Sequence, residues 1–536
     1  MILGAYSRQV SIAPDGKEAM DASDSPQRLS NIDFERFRLR NFVQQLAEAG
    51  EIEIHAESFD LAEAAKVLTG NPKAVWFQKL GPEQTELVGN VDGDRRRIAR
   101  AFGVTPDKLV QEMTRRVQGK AEIVEVPRSA APVQQVVITG DDIDLTSLPA
   151  HLQHGGDGGL YISASVDFAI DARTGLTNSG LRRLMLRGKR ETGIDLNAPS
   201  DLRAIYIAAQ ARGEKLPVSF VVGSHPIDHV AATMRVPGDE LELVAKLRDA
   251  PLPVVKCVTN DIRVPADAEW VIEGYLDERG YAEDEGPYGE YLGYYGGVKS
   301  NPVFHATAIT RRRDALFQTL TISGRRLDRT ETSQLETLRT EFNVWQALKT
   351  AVREPVAVYA PVAGGGQTNV RISLRQRFPG EARAAIHTVL GSTSVKHIFV
   401  VDPDIDIFSD EQMEWALGTR FQGDRDLVVL NGMRVSPLDP SLHGAPTGAK
   451  VGFDLTWPFG KSTMEHAVPE APSYEGRRFP SLRAALEDGP KNFQDLMAAC
   501  GSRDGREIVR ELEKLHDEPG FARDKEGRYT LGRKQG

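Results

Sequence analysis

The sequence has few cysteines, few aromatic residues and no excess of positive charge. Two cysteines, Cys257 and Cys500, occur in 536 residues, which excludes a disulfide framework and favours a reducing cytoplasm. No run of about 18 apolar residues is present, so a transmembrane helix is not expected. Lysine and arginine total 66 against 76 aspartate and glutamate, and the net charge of −10 argues against a nucleic-acid partner. We expect a cytoplasmic protein.

Length and composition indicate a globular protein of several domains. A chain of 536 residues is too long for one ordinary hydrophobic core, so about three domains are expected. The hydrophobic share of 40% and the charged share of 26% are typical of globular proteins. Residues 1–30 have no signal-peptide core and are interpreted as a flexible polar arm. The predicted fold class is α/β (α+β multidomain).

Changes of pattern along the chain predict the domain boundaries. Residues 31–121 mix helical and strand patterns and indicate an N-terminal α+β module, with a first helix over 34–43 that Asp33 would cap. Residues 122–332 hold short β-type runs between turn signals, which is typical of a barrel or sandwich. Residues 333–475 alternate helices with buried strands, as in an α/β domain.

The last segment, 480–536, is predicted to be an appended unit. Three helices followed by two short strands around Gly527 are the element order of a winged helix. Residues 482–536 carry 11 basic and 11 acidic side chains, whereas a DNA-binding unit is normally basic. A structural or oligomer-interface role is therefore favoured over nucleic-acid binding.

The most informative segment is residues 283–291, EDEGPYGEY. It places four carboxylates within eight positions, and its proline and two glycines exclude a regular helix. We expect a tight loop that presents Glu285 and Glu290 from a fixed backbone. Two neighbouring carboxylates, one of them pushed toward the protonated form, suit acid–base chemistry near neutral pH. The alternative is a solvated acidic turn.

Six segments occur in a characteristic order along the chain: 157–163 (DGGLYIS), 177–183 (TNSGLRR), 254–261 (VVKCVTND), 266–274 (ADAEWVIEG), 283–291 and 448–454 (GAKVGFD). Together they resemble the UbiD family of reversible decarboxylases, which use prenylated FMN. The resemblance runs from about residue 157 to residue 459. It implies a central split β-barrel (flavin-reductase-like) that holds the cofactor, and a C-terminal α/β domain that forms dimers or multiples of dimers.

The resemblance implies a Glu–Arg–Glu catalytic network. Arg183 would bind the substrate carboxylate, because a guanidinium can fork onto a carboxylate and stays charged. Glu285 would lie beside it, and Glu290 takes the position of the proton donor. The implied reaction is reversible non-oxidative decarboxylation of an aromatic, heteroaromatic or α,β-unsaturated acid through a covalent prenylated-FMN adduct. The alternative for Arg183 is a surface arginine in the basic run 182–190.

The resemblance also implies that the cofactor phosphate is held by a divalent cation, Mn²⁺ or Mg²⁺, with K⁺ beside it. Hard oxygen ligands suit these ions. The family's ligands correspond to Asn178, Asp201 and Glu240 of this sequence. Asp201 departs from the family, because a histidine is expected there. The alternative for Asp201 is that it only caps a helix.

Further cofactor contacts carry over from the same resemblance. The segment Ala232-Thr233-Met234 would flank the edge of the isoalloxazine ring, and Lys450 would approach the cofactor. A surface lysine after a glycine-rich turn is the alternative for Lys450. A flavin prenyltransferase is the implied supplier of the cofactor. The full implied cofactor-binding set is Asn178, Ser179, Arg183, Ser200, Ala232, Thr233, Met234, Glu240 and Lys450.

Two other functions remain open at this point. The first is an FMN-dependent oxidoreductase on the same barrel, in which Arg183, Glu285 and Glu290 form structural ion pairs. Reduction by a nicotinamide cofactor would favour it. The second is a non-enzymatic assembly or nucleic-acid-binding protein that acts through the winged-helix-like tail.

Overall fold

The computed structural model describes residues 32–461, 466 and 468–532. The predicted polar arm lies outside the described residues. Contacts divide the chain into two units, one made of residues up to 375 with 382–454, the other of 376–381 with residues from 455 onward. Within the described part of the chain, no helix has both the length and the apolar surface needed to cross a bilayer.

The N-terminal module is a small α+β structure. Its strands β1 and β2 pair in parallel, and β2 and β3 pair antiparallel. The first helix begins at Leu39, later than the sequence predicted, because Asp33 accepts the backbone N–H groups of Glu35 and Arg36 and closes a turn instead. The elements are α1 Leu39–Glu48, β1 Ile52–Phe59, α2 Ala64–Leu68, β2 Ala74–Leu80, β3 Thr85–Gly89, α3 Arg95–Phe102 and α4 Leu109–Val117.

The central module contains most of the strands. Its elements are β4 Ile123–Glu125, β5 Val136–Thr139, β6 Tyr161–Ile170, β7 Thr177–Leu186, β8 Glu191–Ile194, α5 Asp201–Ala211, β9 Leu216–Val222, α6 Pro226–Thr233, α7 Glu240–Arg248, β10 Leu252–Lys256, β11 Arg263–Pro265, β12 Trp270–Leu276, β13 Glu283–Glu285, β14 Tyr288–Gly289, β15 Tyr295–Gly296, β16 Lys299–Asn301, β17 Val303–Arg311 and β18 Phe317–Gln318.

Six of these strands close a barrel in the order β12, β9, β6, β7, β8 and β17, because β17 pairs back onto β12. Alternate residues face opposite sides of the barrel wall. Phe220 of β9 packs with Phe304 inside, whereas Val221 packs outward with the helices. The β12–β17 register shifts at Gly274, where a Cβ atom would lie 2.0 Å from the His305 carbonyl oxygen. Closure at this bulge therefore requires glycine.

The C-terminal α/β module contains a five-stranded mixed sheet in the order β19, β20, β21, β23 and β22. Strands β20, β21 and β23 run parallel, and β19 and β22 are antiparallel to their neighbours. Ile372, Ile386 and Ile398 lie in its core. The elements are α8 Glu331–Ala351, β19 Pro355–Tyr359, β20 Asn369–Leu374, α9 Glu381–Ser392, β21 His397–Val401, α10 Asp410–Arg420, β22 Leu427–Met433 and β23 Gly448–Asp454.

The tail has a hydrophobic core of its own, which includes Leu486, Leu496 and Leu512. Asn492 and Asp495 form the capping box at the start of its second helix. Its helices and antiparallel strand pair follow the predicted order, while its assignment to the winged-helix class stays a prediction. The described elements are α11 Leu482–Asp488, α12 Phe493–Cys500, α13 Arg506–Leu515, β24 Phe521–Arg523 and β25 Tyr529–Leu531.

Candidate active site

The acidic segment 283–291 is held in part by strand pairing. Glu285 in β13 is paired with Lys299 of β16, and Tyr288 in β14 is paired with Gly296 of β15. The expectation of a loop is therefore wrong for residues 283–285 and 288–289, whereas residues 286–287 and 290–291 lie outside the strands. The hydrogen bonds come from strands further along the chain, and the local sequence pattern does not indicate such partners. The pairing fixes the direction in which Glu285 points.

Arg183 lies at the centre of the candidate site. Its Nε donates to Glu285 Oε1 at 3.0 Å, and its Nη2 donates to Glu285 Oε2 at 3.1 Å. Its Nη1 donates to Glu290 Oε1 at 2.7 Å. Burial acts to lower the pKa of Arg183, but the carboxylates of Glu290 and Glu285 outweigh it and raise that pKa further. The guanidinium is therefore a fixed positive charge.

Two packed tyrosine rings, called the aromatic platform here, lie against one face of the Arg183 guanidinium. The Arg183 guanidinium carbon lies 4.5 Å from the centre of the Tyr288 ring, within the range of a cation–π contact. Tyr288 packs on Tyr161 at 4.3 Å between ring centres, and its hydroxyl donates to Gln153 Oε1. Gln153 in turn donates to the Ser163 hydroxyl at 2.8 Å. The platform cannot tilt without breaking this series of contacts.

Glu290 reaches Arg183 through one carboxylate oxygen. Its Oε2 makes no hydrogen bond to any other residue of the described chain. Burial is the main reason that the pKa of Glu290 is raised above its ordinary value, although Arg183 acts to lower it. Gly296 makes room for it, because a Cβ atom there would lie 2.7 Å from Glu290 Oε1. Glu290 can therefore carry a proton on Oε2, because none of the described side chains is hydrogen-bonded to that oxygen.

Two further charged residues join this group, and the sequence did not predict them. Asp195, directly after β8, places Oδ2 at 3.1 Å from Arg183 Nη2. Lys299 places Nζ at 4.0 Å from the same Asp195 oxygen. Asp195 sits in a turn in which its Oδ1 accepts the Asn197 N–H at 3.2 Å, a pattern that an Asp-x-Asn spacing can indicate. Below, "the charge cluster" means Arg183, Glu285, Glu290, Asp195 and Lys299.

A second group of polar side chains lies where β7 begins. Asn178 Nδ2 donates to Glu240 Oε2 at 2.9 Å, and the backbone N–H of Ser179 donates to the same oxygen. Asp239 caps helix α7 and also accepts the N–H of Thr177 at 3.0 Å, which joins the strand to the helix. Burial raises the pKa of Glu240 to about 7.

Buried polar atoms without partners mark this same place. Asn178 Oδ1 and the Ser179 hydroxyl are buried and have no hydrogen-bond partner among the described residues. Buried polar atoms are normally satisfied. Oxygens of this kind, next to the Glu240 carboxylate, are the ligands that a hard cation takes. The Ser179 hydroxyl can also donate to a phosphate oxygen. The donor set therefore fits the predicted phosphate end of a flavin.

The other residues predicted at this end lie on helix α5. Ser200 is its N-cap, and its hydroxyl accepts the Arg203 N–H at 3.2 Å. The Asp201 side chain is 65% exposed, and its ion pair with Arg235 is long, at 3.9 Å. Within the described residues, no group of three or more histidines, cysteines, aspartates or glutamates is arranged to hold a metal. Asp201 is thus less enclosed than Asn178 or Glu240. Below, "the phosphate end" means Asn178, Ser179, Asp201 and Glu240.

The remaining predicted cofactor residues lie on two walls. Ala232 and Thr233 end helix α6, Met234 follows them, and all three line the same cavity as the charge cluster. Lys450 of β23 lines the C-terminal wall, where its Nζ donates to the carbonyl oxygens of Leu390 and Thr393 at the end of helix α9. Burial, with Arg434 nearby, lowers the pKa of Lys450.

One cavity of about 1700 Å³ connects these groups. Glu285 lies behind Arg183 and is absent from the lining, while every other predicted site residue contributes to it. Apolar and aromatic side chains cover the space beside the charge cluster. They include Leu181, Tyr288, Leu320, Ile322 and Leu335.

A fully buried trio of ionisable groups ties three segments of the cavity wall together. His229 Nδ1 lies 2.6 Å from Asp92 Oδ2, and Glu331 accepts the N–H groups of Asp92 at 3.0 Å and Thr321 at 2.8 Å. His229 is on helix α6, Thr321 lies between two lining residues, and Glu331 begins helix α8. Burial, together with the nearby Asp92 carboxylate, raises the pKa of Glu331 above its ordinary value. The trio fixes wall segments from separate modules.

Comparison with known proteins identifies the family. The family model for the 3-octaprenyl-4-hydroxybenzoate carboxy-lyase N-terminal domain matches residues 43–117, the Rift-related domain matches 124–326 and the C-terminal domain matches 334–455. The chain belongs to the UbiD family. The UbiD models end before the tail, whose role stays a prediction. Membership makes this protein a carboxy-lyase and favours that class over the oxidoreductase alternative.

Relatives of this UbiD-family protein include decarboxylases with different substrates. The chain is 31% identical over 422 residues to anhydromevalonate phosphate decarboxylase of Methanosarcina mazei, which covers 78% of this chain and 95% of the relative. It is 30% identical over 454 residues to phenolic acid decarboxylase of Escherichia coli O157:H7, which covers 80% of this chain and 94% of the relative.

Solved structures of the UbiD class share the fold. The UbiD-class enzyme HmfF from Pelotomaculum thermopropionicum, in complex with FMN, has a TM-score of 0.75 and 31% identity, and the match covers 81% of this chain and 97% of that one. The 3,4-dihydroxybenzoic acid decarboxylase from Enterobacter cloacae has a TM-score of 0.73 and 28% identity, with 82% and 98% covered. The mixed α/β multidomain fold with its closed barrel is the UbiD fold.

Proposed function

We propose that this protein catalyses the reversible, non-oxidative decarboxylation of an aromatic, heteroaromatic or α,β-unsaturated carboxylic acid, with prenylated FMN as its cofactor. The observation that carries the proposal is the contact of Arg183 with both Glu285 and Glu290 on the wall of a cavity that also reaches the phosphate end. A carboxylate-binding cation and a carboxyl group able to hold a proton lie side by side. These are the two groups that exchange of CO₂ for a proton requires.

Arg183 binds and orients the substrate carboxylate. Its five N–H groups include one on Nη1 beyond those directed at Glu285, Glu290 and Asp195. That N–H can donate to a carboxylate in the cavity. Because three carboxylates fix the guanidinium, little reorganisation is needed when the substrate arrives. The aromatic and apolar walls favour an unsaturated or aromatic acid over a saturated polar one.

Glu290 exchanges the proton. In the forward direction the bond between the substrate carbon and its carboxyl carbon breaks, CO₂ leaves, and the electron pair stays on the substrate carbon. Glu290 gives its proton to that carbon and is reprotonated from water. The raised pKa that burial causes favours the protonated form of Glu290, which suits a general acid. Carboxylation is the reverse sequence.

Prenylated FMN, when bound, supplies the electron-accepting group that makes loss of CO₂ from an unsaturated carbon feasible. Asn178, Ser179 and Glu240 would hold its phosphate through Mn²⁺ or Mg²⁺, with Asp201 as a further ligand and K⁺ nearby. The unpartnered oxygens of Asn178 and Ser179 support this assignment. Ser200, the Ala232–Met234 segment and Lys450 would flank the rest of the flavin.

The partners follow from the same proposal. A flavin prenyltransferase supplies the cofactor, and the carboxylic acid and CO₂ are the small-molecule partners. We propose a homodimer, or a multiple of dimers, built on the C-terminal module. For the relative HmfF, an evolved dimeric form in complex with prFMN is described.

The test is co-expression with a flavin prenyltransferase, followed by mass spectrometry of the small molecule released on denaturation. CO₂ release is then measured from a panel of aromatic, heteroaromatic and α,β-unsaturated acids. We expect prenylated FMN and release of CO₂ from at least one acid. Plain FMN with nicotinamide-dependent reduction and no CO₂ would support the oxidoreductase instead.

A variant tests the role of Glu290. Glu290→Gln keeps the size and the contact with Arg183 but removes the proton, so we expect turnover to fall at least about 100-fold. Flavin content should stay at the wild-type value, which separates loss of chemistry from loss of cofactor. Near-normal turnover in a fully loaded Glu290→Gln enzyme would reject the assignment.

A further inference from the structure

The charge cluster contains one carboxylate more than the predicted Glu–Arg–Glu network. Asp195 approaches Arg183 Nη2 to 3.1 Å on the side not taken by Glu290. Its side chain is fixed, because the Asn197 backbone N–H donates to Asp195 Oδ1 at 3.2 Å. Asn197 is held in turn, because its Nδ2 donates to Asn301 Oδ1 at 2.8 Å. Asp195 therefore cannot rotate away from Arg183 without breaking a turn that the strand β16 supports.

Lys299 provides the second positive charge of the cluster. It lies on β16 directly opposite Glu285 in the strand pair, and its Nζ is 4.0 Å from Asp195 Oδ2. Asp195, Glu290 and Lys299 all line the cavity. The cluster thus sets three carboxylates against two cations, and its members lie on, or directly after, five different strands.

We propose that Asp195 and Lys299 are positioning residues of the reaction centre, which fix Arg183 and act with opposite sign on the proton held by Glu290. The effect of the two residues on catalysis depends on the proposed function. Their effect on the charge state of Glu290 does not depend on it. Asp195 is a negative charge near Glu290 and favours the neutral acid, whereas Lys299 is positive and favours the carboxylate. The balance between them sets the pH range in which Glu290 is an acid.

Electrostatics agrees with this geometry. Burial is the largest influence that raises the pKa of Glu290, and Asp195 adds to it while Lys299 opposes it. Burial also acts to raise the pKa of Asp195, but Arg183 and Lys299 outweigh it, so that this pKa is lowered and Asp195 stays charged. Six titratable or charged groups surround Glu290: Arg183 from β7, Asp195 directly after β8, Glu285 from β13, Tyr288 from β14, Tyr291 from the turn after β14, and Lys299 from β16.

The test is an infrared titration of the purified protein in the absence of substrate. Glu290→Gln identifies the carbonyl band of protonated Glu290, since other buried acids such as Asp167, Glu240 and Glu331 contribute to both spectra. In Asp195→Asn we expect the midpoint of that band to move to lower pH. In Lys299→Met we expect it to move to higher pH. A purely structural role would not give shifts of opposite sign.

The matched control is Asp404→Asn, which removes a carboxylate that pairs with Arg420 at 2.6 Å outside the cavity lining. It should leave the Glu290 midpoint unchanged. Unchanged midpoints in both test variants, or shifts in the same direction, would overturn the inference. If Asp195→Asn does not fold, Lys299→Met alone decides, because its expected direction is fixed.

Turnover provides the second readout and keeps the two proposals separate. If the enzyme decarboxylates, the pH at which kcat falls on the alkaline side should decrease in Asp195→Asn and increase in Lys299→Met, with KM changed less than kcat. If no acid is decarboxylated but the infrared midpoints move as expected, the proposed reaction fails and the positioning inference stands.

Discussion

The two ends of the cavity differ in how completely the protein satisfies its own polar groups. In the charge cluster, Arg183 is bound by Glu285, Glu290 and Asp195 and rests on Tyr288. At the phosphate end, Asn178 Oδ1 and the Ser179 hydroxyl have no partner among the described residues, and Asp201 is largely exposed. One end is assembled from protein contacts alone, and the other offers oxygens to a ligand.

This difference separates the residues that hold reacting groups in position from the residues that bind a ligand. A side chain held by several protein partners is already in its working position, so its replacement should change turnover more than binding. Replacing a side chain whose free oxygens face a ligand should change the affinity for that ligand more than it changes turnover. Four predictions test this division, beginning with the largest expected effect.

Replacing Arg183 by lysine should break the charge cluster. Lysine keeps the charge but cannot donate to both Glu285 oxygens and to Glu290 at once. We expect kcat/KM to fall about 1000-fold, with flavin content near the wild-type value. The assay is CO₂ release by the flavin-loaded enzyme.

Arg187→Lys is the control for this variant, because Arg187 lies just beyond β7, pairs with Glu283 and does not line the cavity. It should keep wild-type activity. An Arg183→Lys enzyme within about tenfold of wild type would remove the basis for a fixed guanidinium.

Replacing Glu240 by glutamine should weaken the phosphate end. The change removes the charge next to Asn178 while keeping the side-chain size. We expect the Kd for FMN, measured by fluorescence quenching with Mn²⁺ present, to rise about 100-fold. Glu242→Gln, on the exposed side of the same helix turn, should bind FMN as wild type does. Equal affinities in the two variants would contradict the assignment.

FMN binding with Mn²⁺ should strengthen as pH rises. Burial raises the pKa of Glu240 to about 7, so below that pH the carboxyl is protonated and is a poor metal ligand. We expect about tenfold weaker binding near pH 6 than near pH 8. The dependence should disappear in Glu240→Gln. A wild-type affinity that does not vary over this range would exclude Glu240 as the titrating ligand.

Replacing Asp201 by asparagine should have the smallest effect. Its side chain is 65% exposed and its nearest ion pair is 3.9 Å long, so water screens its charge. We expect the Kd for FMN with Mn²⁺ to rise about threefold. A loss as large as that of Glu240→Gln would show instead that Asp201 closes over the metal when the flavin binds.

Much of the scaffold could be predicted from local patterns. Short β-type runs predicted the β-rich central part of the chain, and the alternation of helices with buried strands predicted the α/β part that follows it. The three helices and two strands of the tail were also predicted in the observed order. The first helix was misplaced, because Asp33 closes a turn with its own neighbours before the helix begins. Such competition between a turn and a helix is decided within a few residues by backbone geometry that side-chain type alone does not determine.

The candidate site could be predicted in part, through resemblance and not through spacing. Arg183 and Glu285 are 102 positions apart and meet only because β7 and β13 are neighbours of β8 in the fold. Asp195 and Lys299 complete the charge cluster across similar separations. Neither of these two residues was predicted from the sequence, because their contacts depend on strand pairing between distant parts of the chain.

Gly296 limits how this protein can evolve. Any larger residue there would put a carbon atom 2.7 Å from Glu290 Oε1 and 3.2 Å from its Cγ. Such a residue would displace the Glu290 carboxylate from its contact with Arg183, so a lineage that acquires a new substrate and keeps this acid in place is expected to vary walls such as Leu320, Ile322 or Leu335 instead. We expect functional descendants of this sequence to differ at those walls and to retain glycine at position 296.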